Sequence, residues 1–370
     1  MCNEARGLSG WPRKAARWLV LAAAVTLALL AFVASQQATV RGVEPSPAPP
    51  APNSPDEPLA PALSLAKSAG FLDGVALDWT RKRQCGTCHT NYAYMIARPV
   101  LDPPGGKPSE AMSEIRTFFE TRVAHWDDAE KQAKPRFDAE VIATASALAL
   151  NDAATTGTLH PLTRRALDRV WTVQKPDGSF DWLKCDWPPL EHDDYYGAVL
   201  AALGVGSAPD GYARTEAAAR GLDRLRAYLR ANPAPDLHHK AFLLWASTRL
   251  DGLMTADDRG KTVAELRALQ RPDGGWCLPS LGDWSRRDGS PNDKNAASDG
   301  YATGLVVYVL RQAGVPADDP ALKRGVAWLR THQRASGRWF TRSLNTDKFR
   351  DFSLNSTTRA GVASRFALER

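Results

Sequence analysis

The stretch GVAWLRTHQRASGRW, residues 325–339, joins eight residues of amphipathic helix to a glutamine, a glycine-bearing turn, and a tryptophan six residues after the glutamine. The same order recurs in ALDRVWTVQKPDGSF (166–180) and TVAELRALQRPDGGW (262–276). The repeated positions are Gln174, Gln270 and Gln333, followed by Phe180, Trp276 and Trp339. Gly178, Gly275 and Gly337 are the turn residues expected to need a positive φ. A fourth copy, GLDRLRAYLRANPAPD from Gly221, keeps the helix and replaces the Gln and aromatic with a proline-marked turn.

Between these copies lie less polar helices, beginning at Glu140, Asp194, His239, Asp299 and Ser356. Where a repeat follows such a helix, it comes 23 to 27 residues after the helix start. A fixed helix-pair period means an all-α repeat architecture in which each unit buries its apolar face against its neighbours. The less polar helix of each pair is expected on the inside.

The pattern over residues 138–370 resembles the QW repeats of the squalene-hopene cyclase and protein-prenyltransferase superfamily, most specifically at 324–339. The resemblance implies a single α/α toroid, with an inner ring of helices wrapped by an outer ring. It also implies that each glutamine hydrogen-bonds around its turn while the aromatic packs on the adjacent helix, so these residues are structural.

The inner helices begin with polar residues: Glu140, Asp193 with Asp194, His238 with His239, Ser298 with Asp299, and Asn355 with Ser356. Helix capping accounts for Asp194, Asp299 and Ser356 one at a time. In a toroid the equivalent helix ends also converge on one cavity mouth, which makes Asp193, Asp194 and Asp299 the candidate catalytic carboxylates. Glu191-His192-Asp193-Asp194 resembles the D-x-D-D motif of class II terpene cyclases, with Glu191 in place of the first Asp. The resemblance implies that Asp193 is the general acid toward an isoprenoid double bond, with His192 or His239 as a neighbour that tunes it. The prenyltransferases of the superfamily hold zinc with Asp, Cys and His. Cys185-Asp186 and Cys277 follow two of the repeat turns, where a disulfide between the cysteines or two buried thiols is the plainer reading.

Ahead of the repeats, QCGTCHTNYAYM (84–95) contains Cys85-Gly86-Thr87-Cys88-His89, the C-x-x-C-H pattern of covalent haem c attachment. In that chemistry both thiols form thioethers and His89 becomes the proximal iron ligand; one helical turn has to bring all three to one face. Zinc and a Cys85–Cys88 disulfide are the alternatives. Met112 or His125 is the candidate distal ligand, since Met95 lies too near His89 in sequence to reach the opposite face. The region 81–101 also resembles haem-motif segments preceding cyclase-like repeats in exported bacterial proteins.

Residues 18–33, WLVLAAAVTLALLAFV, follow Arg13, Lys14 and Arg17 and read as a cleaved signal peptide or a membrane anchor. The body is then expected on the extracytoplasmic side, where c-type haem is attached. The net charge of +6 arises from 47 Lys+Arg and 41 Asp+Glu spread through the 370 residues, which argues against a nucleic-acid partner. Residues 45–62, PSPAPPAPNSPDEPLAPA, read as an extended tether. The expected organisation is 1–43 signal or anchor, 44–66 linker, 67–137 haem segment and 138–370 toroid. Function is expected to be electron transfer or redox chemistry with a partner protein or apolar ligand. Acid-initiated cyclisation through Asp193 and a non-catalytic scaffold are the alternatives.

Overall fold

The computed structural model describes residues 53–102 and 106–345. Among them the fold is all-helical, interrupted only by isolated β-bridges. The elements are α1 (Leu65–Arg83), α2 (Asn91–Ala97), α3 (Glu110–Ala124), the short α4 (Ala129–Gln132), α5 (Phe137–Thr155), α6 (Pro161–Val170), α7 (Asp194–Ser207), α8 (Glu216–Ala231), α9 (Leu237–Ser247), α10 (Ala256–Ala268), α11 (Gly300–Gln312) and α12 (Pro320–Thr331).

Helices α5, α7, α9 and α11 are the apolar ones read from the sequence, and they form an inner row with α2. They pack side by side in the order α2, α5, α7, α9, α11. Inner helix α7 is buried continuously from Tyr195 to Val205, so no face is left for solvent. Helices α6, α8, α10 and α12 each pack on the inner helix before them in the chain. They bury one stripe only; in α8 this comprises Ala218, Gly221, Leu222, Leu225 and Leu229.

The glutamine turns bind these outer helices to one another. Gln174 Nε2 donates to Gly178 O within its own turn at 3.2 Å and to Gly221 O of α8 at 3.0 Å. Gln270 Nε2 reaches Gly274 O at 2.9 Å and Ala321 O of α12 at 2.7 Å. Trp276 and Trp339 are fully buried, their indole N–H groups donating to Leu266 O and Leu329 O. In the three glutamine turns the positive-φ glycines are Gly178, Gly274 and Gly337. Gly275, expected in that role, instead lies against Ser298 and Thr303, where a Cβ would come within 2.5 Å of the Ser298 side chain.

Gln333 applies the same device to the front of the chain. Its amide donates to Gly337 O and Ser64 O, each at 3.0 Å, and its Oε1 accepts from Ser64 N at 2.7 Å. Helix α1 therefore takes the place of the next outer helix, and the expected boundary at 137 does not separate two bodies. α2 packs on α5, and α3 packs on both α1 and α6. The tether is also shorter than expected, because residues 57–60 are docked. Ala60 N donates to Gln333 O at 2.7 Å, Ala335 N to Pro58 O at 2.8 Å, and buried Arg338 pairs with Glu57 at 2.7 Å. Residues 18–33 and the expected helix at Ser356 lie outside the described residues. Among the described residues no helix is long and apolar enough to cross a membrane.

Candidate functional site

Every inner helix from α7 to α11 starts on an aspartate cap. Asp193 accepts from Tyr196 N, Asp236 from His239 N, and Asp299 from Ala302 N. The fold brings these starts together. His239 Nε2 of α9 lies 3.1 Å from Asp193 Oδ2, and His239 Nδ1 lies 2.7 Å from Asp236 Oδ1. The first is a charge pairing off the ring's donor direction, and the second is a hydrogen bond. On the adjoining side His238 Nε2 meets the Tyr301 hydroxyl of α11 at 2.7 Å.

The electrostatics of the triad follow from this geometry. Burial pushes the His239 imidazole down, but the carboxylates of Asp193 and Asp236 more than reverse that and raise its pKa to about 9. Burial pushes Asp193 up, and His239 together with the Tyr196 N–H outweighs it, holding the carboxyl below its ordinary value. The resting arrangement is an imidazolium between two carboxylates. His239 is 1% exposed, whereas Asp193 keeps 26% of its side chain open to solvent.

The other two predicted carboxylates do different work. Asp194 accepts from Trp182 N at 3.0 Å and pairs with Lys184 at 2.9 Å, pinning the loop ahead of α7. Asp299 is buried, and burial raises its pKa to about 6 against the donors of Ala302, Leu278 and Thr341. It fastens α11 to the 276–278 segment and to Thr341.

The C-x-x-C-H segment lies in the loop between α1 and α2. Asn91 holds it, accepting from Thr87 N at 2.9 Å and donating to Cys85 O at 3.1 Å. Burial first, then the neighbouring charges of Glu191 and Cys185, pushes the Cys88 thiol well up. His89 packs edge-on to Trp79, and burial lowers its pKa to about 4, leaving a neutral imidazole. Its Nε2 sits 3.6 Å from Glu191 Oε1.

His89, Glu191, Leu278 and Tyr301 line a cavity of about 50 Å³ together with residues 187–190 and 341–345. That is room for a few waters or an ion. Met112 is a core residue whose sulfur accepts from Asn151 Nδ2 at 3.4 Å, and His125 is exposed with Nδ1 bonded to Thr121 O.

Cys185 and Cys277 are both free thiols in separate surroundings. Cys185 N donates to Glu191 O at 3.1 Å, while Cys277 Sγ donates to Lys294 O at 3.4 Å. Sequence reading missed Asp236 and Tyr301. The D-x-x-H spacing of Asp236 and His239 was the available sign, since an N-cap three residues before a histidine meets both its N–H and its ring.

No family model matches the chain, and no curated protein matches it. Among solved structures it is similar to a variant of the type II terpene cyclase MstE from Scytonema, in complex with its product merosterolic acid A. The identity is 14% and the TM-score 0.47, over 82% of this chain and 97% of that one.

Proposed function

We propose that the protein is an acid–base enzyme of the cyclase type, in which Asp193 hands a proton to a carbon–carbon double bond of an apolar substrate. The observation that carries this reading is the Asp193–His239–Asp236 triad, built from the starts of two inner helices. A carboxylic acid beside an imidazolium gives up its proton far more readily than an isolated one, because the charge left behind is paired at once. Protonation of an alkene needs an acid of that strength. The proton from Asp193 adds to one alkene carbon and leaves a cation on the other; loss of a proton from the rearranged cation closes the balance. Asp236 holds His239 in the doubly protonated form and orients it, so both are positioning residues.

The test is turnover of a polyprene by the intact chain and by Asp193→Asn, with helicity measured in parallel. Loss of product with the fold retained supports the reading. Equal turnover by the two proteins removes it.

A further inference from the structure

Resting on the cyclase-type reading for the nature of the substrate, we propose that Arg287 latches a gate through which an apolar chain reaches the Asp193–His239 site.

The cavity lined by His89, Glu191 and Tyr301 adjoins the triad. The Tyr301 hydroxyl meets His238, the neighbour of His239, at 2.7 Å, and Glu191 stands two residues before Asp193. A cavity of about 50 Å³ takes an isoprenoid chain only once its walls part. Two of those walls are loops: residues 187–190 ahead of α7, and residues 341–345 after the last glutamine turn.

Arg287 spans the two. Its backbone N donates to Asn345 O at 3.0 Å on one wall. On the other side its guanidinium donates to Cys185 O at 3.2 Å and lies over the Trp187 ring, 4.2 Å from the centroid. It is carried on a short hairpin bridged between Ser285 and Pro291, and that hairpin belongs to the 341–345 wall. Arg286 Nη1 donates to Ser343 O at 3.1 Å, and Asn292 Nδ2 to Leu344 O at 3.3 Å. One more tie crosses between the walls, from Asn345 Nδ2 to Pro188 O at 3.3 Å. At the foot of the hairpin Trp284 packs edge-on to His238, with ring centroids 5.9 Å apart, so movement here is felt beside the triad.

The contacts sort into those that move together and those that break. The hairpin and 341–345 share three hydrogen bonds and travel as one piece. Parting from 185–190 breaks the Arg287 contacts to Cys185 and Trp187 and the Asn345 bond to Pro188. Arg287 is exposed, and a water-facing guanidinium on a carbonyl and a ring makes weak, exchangeable contacts. Behind the loops α7 is buried continuously from Tyr195 to Val205, so opening is local and leaves the helical frame in place.

The test is hydrogen–deuterium exchange of the full-length chain and of Arg287→Ala, followed by stopped-flow binding of geranylgeraniol read by tryptophan fluorescence. Arg287→Ala should speed exchange by about threefold or more in peptides covering 185–191 and 341–345, with α5 and α7 unchanged. The association rate of geranylgeraniol should rise with it. Far-UV circular dichroism checks that the variant folds. Unchanged exchange in both loops would overturn the latch, and an association rate indifferent to Arg287→Ala would overturn its part in entry. Failure of the cyclase-type reading is seen separately, as equal turnover by the wild type and Asp193→Asn.

Discussion

His239 of α9 stands 3.1 Å from Asp193, the cap of α7, and this contact joins the starts of two inner helices. Removing the imidazole is expected to leave Asp193 an ordinary carboxyl. His239→Gln should lower turnover of a polyprene by about two orders of magnitude or more, in the range of a lost acid–base partner. Steady-state kinetics at fixed pH measure it.

In the proposed reaction the acid form of Asp193 is the active one, and its carboxyl is held below the ordinary value. Turnover should therefore rise on acidification, by about tenfold per pH unit while the pH stays above the Asp193 pKa. A rate independent of pH through the acid range would deny Asp193 the donor role.

Stability has its own pH signature. His239 is raised from 6.5 to about 9 in the folded chain, so its contribution is fully present below 6.5 and is lost as pH rises through about 9. The size is on the order of 3 kcal/mol as an upper bound. Urea unfolding at a series of pH values should show this loss in the wild type and its absence in His239→Gln.

The tie between the last glutamine turn and the start of α1 depends on Gln333, which is buried and meets both Ser64 and Gly337. Gln333→Ala leaves several buried backbone groups without partners and should cost about 3 kcal/mol, against about 1 kcal/mol for the more exposed Gln174→Ala. Chemical denaturation of both variants compares them directly.

Gly221 is where α8 comes closest to the preceding turn: a Cβ there would lie 2.0 Å from the Trp171 ring. Gly221→Ala should destabilise by about 1–3 kcal/mol or more through overpacking, measured by thermal unfolding.

The repeat was legible because a glutamine and an aromatic at fixed offset report a turn whose hydrogen bonds are local. The convergence of Asp193 with His239 could be read once the helix starts were aligned, since equivalent ends of packed helices meet. Gly274 was passed over for Gly275 because adjacent glycines hide which one takes the positive φ. The tie from Gln333 to Ser64 was not legible: a serine at a helix start reads as a cap, and the two residues lie 269 apart in the chain. The approach of His89 to Glu191 was hidden for the same reason, since loop-to-loop contacts leave no period in a sequence.

Proton donation is tested most directly by turning over a polyprene in D₂O and weighing the product. The account predicts one solvent deuterium on the carbon protonated first by the wild-type chain, and no product from Asp193→Asn. The same deuterated product in equal yield from Asp193→Asn would contradict it.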